Sequence, residues 1–152
     1  MLDNLKSNKI LQYFFDCTYK AVPPSKPKFK LLVLNGFDYE DKKTKLCTFI
    51  LINKEDESTF DNIFIYLKEK YSFRPPNIMC DFSLAQINSV KKIFSDCKIH
   101  CCFFHFSQCI WNKFRKYNLC GINTYKDNSN LLFNIQLLCF IEKKTLKIII
   151  KN

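Results

Sequence analysis

The sequence predicts an α/β fold in which helices cover a mixed sheet. Two observations predict it: three strand-like apolar runs come first, and the later runs alternate between helical and strand-like spacing. With 152 residues, 47% of them hydrophobic, the chain is long enough for one domain with a sizeable core. No apolar run reaches the roughly 18 residues that a membrane helix needs. The first ten residues also lack the apolar core of a signal peptide.

The first three runs predict an antiparallel start to the sheet. Residues 10–15, ILQYFF, form a strand that closes at Asp16, and the segment AVPPSKPK then interrupts regular structure because of its prolines. KFKLLVLNGF, residues 28–37, and LCTFILINK read as two further strands. The polar stretch DYEDKKTK between them predicts a hairpin.

The following runs alternate between helix and strand. DESTFDNIFIYLKEKY has helical spacing, can be capped by Asp56 or Ser58, and is ended by Pro75 and Pro76. Its apolar stripe comprises Phe60, Ile63, Phe64 and Leu67. NIMC predicts a short buried strand before Asp81. A second helix follows, capped by Ser83, with a stripe made of Leu84, Ile87, Val90, Ile93 and Phe94.

The last third of the chain contains one more strand–helix unit and an ambiguous tail. KIHCCFF predicts a fifth strand, and FSQCIWNKFRKYN predicts a third helix. NLLFNIQLLCFI, from residue 130, fits either a helix or an apolar strand.

The net charge of +10 leaves nucleic-acid binding open. Clustered cations bind phosphate by releasing counterions. However, the basic residues are 22 Lys and only two Arg, Arg74 and Arg115, and Arg is the side chain suited to forked phosphate contacts. Abundant Lys, Asn, Ile and Phe are equally typical of A/T-rich coding sequence.

The nine cysteines predict buried thiols in a reduced, intracellular protein. The number is odd, and Cys47, Cys80 and Cys101 lie within apolar strand-like runs. A denser group comprises Cys97, His100, Cys101, Cys102, His105 and Cys109, and these residue types suit zinc. Two Cys-x-x-Cys-like pairs are missing, and neighbouring residues of a strand point to opposite faces. We therefore favour buried thiols over a structural zinc. A Cys–His nucleophile lacks an identifiable orienting group.

Two acids occupy matching positions in the pattern. Asp16 and Asp81 each close an apolar run before a structural break. If their strands are neighbours, the carboxylates converge where open sheets bind ligands, and carboxylates suit Mg²⁺. Such an ion can steady the oxygens of a phosphodiester displacement. The alternative is that each Asp caps a turn.

Three blocks resemble the Mutator-like element (MULE) transposases. They are FFDCTYKAVP, PPNIMCDFSLAQINSVKKIF and CCFFHFSQCIWNKF, in the same order over residues 10–118. The resemblance implies a ribonuclease H-like sheet of strand order 3-2-1-4-5, with the first three strands antiparallel. It also implies that Asp16 and Asp81 are the first two acids of an Asp-Asp-Glu site for Mg²⁺ or Mn²⁺. Cys102 and His105 match the Cys-x-x-His signature. DNA is the implied partner and the nucleus the implied location.

The third acid does not match the family. There it is a Glu on a helix after a helical insertion, whereas the acids after His105 are Asp127 and Glu142, and FIEKKTLK around Glu142 differs from the family pattern. We expect a truncated core over residues 1–118, with 119–152 as the start of the insertion or a degenerate tail, inactive in DNA cleavage. The alternatives are a non-catalytic nucleic-acid or protein-binding module derived from a transposase, and a small intracellular zinc-binding protein.

Overall fold

The structure is a computed structural model that describes residues 2–18, 29–119 and 122–141. The chain divides into two compact units, residues 1–102 and 103–152. The domain boundary expected at residue 118 stays a prediction, because compactness alone does not define the extent of an inherited domain. Within the described residues, no helix has the length and apolar character needed to cross a membrane.

The first unit contains the five-stranded sheet. Its strands are β1 (Ile10–Thr18), β2 (Lys30–Asp38), β3 (Lys43–Ile52), β4 (Asn77–Cys80) and β5 (Lys98–Cys101). The spatial order is β3-β2-β1-β4-β5. Strands β1, β2 and β3 pair antiparallel, whereas β1 with β4 and β4 with β5 pair parallel. This confirms the predicted mixed sheet and its strand order.

Two helices of the first unit begin at the predicted caps. Helix α1 (Glu57–Tyr71) begins after Asp56, whose side chain accepts a hydrogen bond from the Thr59 amide at 2.8 Å. It ends at Ser72, which adopts the left-handed conformation with φ of 54°. Helix α2 (Leu84–Ile93) begins after Ser83, whose hydroxyl accepts from the backbone amide three residues later.

The core of this unit forms between one face of the sheet and these two helices. Phe15 of β1 contacts Phe60 and Phe64 of α1, with ring centroids 6.0 and 4.9 Å apart. Phe64 in turn contacts Phe94, just after α2, at 5.6 Å. These rings are almost completely buried and supply large apolar area, so they hold α1 and α2 against β1.

One part of the predicted α2 stripe is wrong. Leu84 is 74% exposed, whereas the polar residues Gln86 and Ser89 are buried with Val90 and Ile93. Positions 86, 89, 90 and 93 share one helical face, and Leu84 lies well away from it. The apolar pattern did not identify the whole buried face, because two positions of that face carry the polar side chains of Gln86 and Ser89.

The second unit is helical. It comprises α3 (Phe103–Lys116), α4 (Ile122–Leu137) and a 3₁₀ turn at Leu138–Phe140. Phe103 and Phe104 therefore begin α3 instead of ending the fifth strand, which stops at Cys101. The ambiguous tail is helical as far as residue 137. The rings of Phe103 and Phe140 lie 4.9 Å apart within this unit.

Candidate metal site at the carboxyl edge of the sheet

The parallel register of β1 and β4 sets Asp16 against Asp81. The paired residues are Tyr13 with Ile78 and Phe14 with Met79. Continued one residue at a time, this register makes Asp16 level with Asp81, on strands about 4.8 Å apart. Asp81 directly follows β4, as predicted. Asp16 does not end its strand, since β1 continues to Thr18.

The surroundings of the two acids differ. Asp16 is exposed, and the preceding Phe15 is buried against the helices. Because successive side chains of a strand lie on opposite faces, the Asp16 side chain lies on the face of the sheet opposite the helices. Asp81 is half-buried, and its Oδ1 accepts a hydrogen bond from the Ser83 amide at 2.7 Å. The turn-capping alternative therefore describes part of the role of Asp81. That bond fixes the carboxylate between β4 and the start of α2.

Three thiols near Asp81, those of Cys17, Cys80 and Cys101, have raised pKa values, which favours their neutral form. Burial raises the pKa of Cys80 to about 12, and the neighbouring Cys101 and Asp81 add to the rise. Burial, followed by the charges of Glu55 and Asp81, also raises the pKa of Cys17. Cys101 is exposed, contrary to the prediction of a buried thiol, and its pKa is raised by partial burial and by Asp81. Neutral thiols are poor metal ligands and poor nucleophiles, so these three thiols are weaker candidates for metal ligands than the carboxylates.

The two signature residues belong to different units. Cys102 is half-buried and directly follows β5, where its amide donates to the Cys80 carbonyl at 2.8 Å and continues the β4–β5 ladder. His105 lies in the first turn of α3, with its ring centroid 5.4 Å from that of Phe104. Cys102 therefore stands at the same edge of the sheet as Asp81, next to it in the ladder.

The donor set at this edge fits a hard divalent ion. Mg²⁺ is commonly bound by one or two carboxylates, with water and substrate phosphate completing its shell. Asp16 and Asp81 supply that number of carboxylates from neighbouring strands. Among the described residues, no group of three or more His, Cys, Asp or Glu side chains is arranged to hold a metal ion. The side chain of Asp127 and all of Glu142 lie outside the described residues, and the expected lack of structural zinc stays a prediction.

Sequence reasoning missed Gln86. This residue of α2 is 1% exposed, and its Nε2 donates to the Cys17 sulfur at 3.7 Å, next to Asp16 in the chain. Gln86 stands three residues after the Ser83 cap, a position at which Gln normally turns back to the cap. Here it reaches across to β1 instead. It ties the helix that follows one acid to the strand that carries the other.

The chain matches one family in comparison with known proteins. The model of the MULE transposase domain matches residues 12–109, more than half of the chain. The matched region contains both acids and both residues of the Cys-x-x-His signature. No curated protein matches the chain.

Proposed function

We propose that this chain, which belongs to the MULE transposase domain family, binds DNA and holds a divalent metal ion between Asp16 and Asp81. The observation that supports the proposal best is the parallel register of β1 and β4, which makes the two acids level. The same strand order argues against the alternative of a small zinc-binding protein, which gives no reason for β1 to lie beside β4. A DNA-directed role would place the chain in the nucleus.

The proposal assigns separate roles to the two carboxylates, to the Ser83 amide and to the positive charge of the chain. The carboxylates of Asp16 and Asp81 would bind Mg²⁺ or Mn²⁺, and such an ion, when bound, neutralises and orients phosphate oxygens. The hydrogen bond from the Ser83 amide keeps the Asp81 carboxylate in one orientation. The net charge of +10 supplies attraction for the DNA backbone that does not depend on sequence.

We further propose that the isolated chain does not cut or join DNA. Phosphodiester displacement needs metal ions and in-line oxygens fixed in place, and small misplacements cost roughly 100-fold in rate. The surroundings of Glu142, FIEKKTLK, lack the family pattern of the third acid. On this view the chain is a transposase core without a complete triad, and it retains binding functions.

Metal-dependent DNA binding tests the proposal. Mn²⁺ should raise the affinity of the chain for a short duplex, because the ion links the carboxylates to phosphate. Asp81→Asn should abolish this dependence, while Asp3→Asn, which removes an exposed acid from the far end of the unit, should leave it unchanged. Plasmid nicking should be absent throughout. Nicking that Asp81→Asn abolishes would overturn the inactivity, and equal Mn²⁺ dependence in all variants would overturn the metal site.

A further inference from the structure

A second site lies at the opposite edge of the sheet from the two acids. A cavity of about 420 Å³ opens where α1 and α2 end and β4 and β5 begin. Its lining includes Asn77, the first residue of β4, whereas Asp81 follows the last residue of that strand. Four residues of strand span about 13 Å, so this cavity is separate from the candidate metal site.

The cavity carries an excess of positive charge. Lys68, Arg74 and Lys98 line it, together with one acid, Asp96. Within the described residues, none of the three cations forms an ion pair with a carboxylate. Only two Arg residues occur in the chain, and Arg74 also lines a neighbouring cavity of about 280 Å³. A guanidinium at the junction of two cavities can reach ligand atoms in both.

Helix capping explains part of this arrangement. The Lys68 ammonium donates to the Ile93 carbonyl at 2.8 Å, at the end of α2. The Arg74 Nη1 donates to the carbonyls of Lys68 and Phe73, at 3.1 and 2.9 Å. Cations at helix C-termini are favourable because they offset the helix dipole. These contacts hold the two charged groups in place, which lowers the entropic cost of binding an anion.

Helix capping uses only a few of the hydrogen-bond donors of Lys68 and Arg74. An ammonium has three donors and a guanidinium five. Both hydrogen bonds that Arg74 makes within the described residues use Nη1. Its Nε and Nη2 can therefore donate two parallel hydrogen bonds to one phosphate group. Lys98 is exposed and has no capping role in the described part of the chain.

The rest of the lining suits the sugar and base of a nucleotide. Pro75, Ile93 and Phe94 are buried side chains that border the cavity. Asp96 adds a hydrogen-bond acceptor, which an amide or amine of a base can use. The volume falls within the range of small-molecule sites, about 300–1,000 Å³. We propose that this cavity binds the phosphate of a nucleotide, with Arg74 and Lys98 as its ligands.

The proposal does not rest on the metal site, since the cations need no metal to bind phosphate. A phosphate of this kind comes either from a nucleic-acid strand or from a free nucleotide. The test therefore uses a fluorescent oligodeoxythymidylate, dTMP as competitor, and thymidine as the matched compound without phosphate, all in the presence of chelator.

Three single substitutions distinguish a built site from diffuse attraction. Lys98→Gln removes an exposed cation of the cavity, and Arg74→Lys keeps the charge but removes the fork. Lys43→Gln removes another exposed cation, from the distant hairpin of β2 and β3. We expect the first two to weaken binding roughly tenfold, since hydrogen bonds to charged groups are strong, and the third less than twofold. Circular dichroism melting checks that each variant folds, and Lys98→Gln keeps the test valid should Arg74→Lys disturb the cap.

Each outcome has a defined meaning. Binding of the oligonucleotide that dTMP does not displace identifies a phosphate within a strand, whereas displacement by dTMP identifies a free nucleotide. Both support the site when Lys98→Gln weakens binding and Lys43→Gln does not. Equal weakening by the two lysine variants, competition by thymidine as strong as by dTMP, or no binding by the unaltered chain would overturn it.

Discussion

Gly36→Ala should destabilise the first unit, against the usual direction of such a change. Replacing Gly by Ala commonly stabilises a protein by about 0.4–1 kcal/mol through the unfolded chain. At Gly36, however, a Cβ would lie 2.5 Å from Ile10 Cγ2, 2.9 Å from Ile10 Cδ1 and 3.3 Å from the Cys47 sulfur. Carbon atoms normally pack about 3.5–4.0 Å apart, so a neighbour must move by roughly 1 Å.

The size of the effect follows from the cost of overpacking a core. Extra methyl groups in well-packed sites cost about 1–3 kcal/mol. For a chain of this length, each kcal/mol lowers Tm by about 2–4 °C. Urea denaturation followed by circular dichroism measures the free energy of unfolding directly. Gly36→Ser, which adds one further atom at the same place, should cost more than Gly36→Ala.

A double-mutant cycle identifies the atoms responsible. Ile10→Ala removes both methyl groups that approach the new Cβ, and alone it should cost about 2–5 kcal/mol. Combined with Gly36→Ala, the total should fall below the sum by about 0.5–3 kcal/mol, because the added methyl enters vacated space. A neutral or stabilising Gly36→Ala, or strict additivity of the pair, would refute the close packing of β1 on β2.

Three further outcomes follow from the described contacts. Asp56→Ala should lower the free energy of unfolding by about 1 kcal/mol, because it removes the acceptor for the Thr59 amide. Asp56→Asn should cost much less, and urea denaturation measures both free energies. The bond and ion pair with Lys45, followed by the bond from the Asp41 amide, hold the pKa of Asp38 below its usual value. The ionised Asp38 carboxylate therefore stabilises the fold fully above the ordinary carboxyl pKa, and this stabilisation is lost as the pH falls through the lower pKa of the folded state. In Asp38→Asn, the free energy of unfolding should fall less steeply with pH in the acid range. An unchanged fall would contradict this role of Asp38. Chelators should leave the melting temperature unchanged, since we expect no structural zinc; one tightly held zinc per chain in elemental analysis would contradict this.

The period of the apolar residues was enough to predict most elements of the fold. Alternating and helical spacings predicted all five strands and the first three helices, and Asp56 and Ser83 cap α1 and α2 as predicted. The boundary between β5 and α3 was wrong because Phe103 and Phe104 suit either element, and no polar residue separates them from the strand. The spatial order of the strands came from the family resemblance, since the spacing of the runs does not determine which strands are neighbours.

The candidate site was predictable only in part. The position of Asp81 follows from the short run NIMC and the break after it. The end of β1 was predicted at Asp16, two residues too early, because the strand continues through Cys17 to Thr18. The role of Gln86 was not predictable, because its side chain contacts Cys17, sixty-nine positions away in the chain. The local sequence does not reveal such a contact.

Direct measurement of Mn²⁺ binding tests the central claim, that Asp16 and Asp81 form one metal site. Electron paramagnetic resonance of free Mn²⁺ should reveal one saturable site in the unaltered chain. Asp16→Asn and Asp81→Asn should each weaken it at least about tenfold, since even residues that only support metal ligands contribute that much. The double variant should bind little less than either single one, and Asp3→Asn should bind normally. If either single variant binds Mn²⁺ as tightly as the unaltered chain does, the two acids do not share an ion.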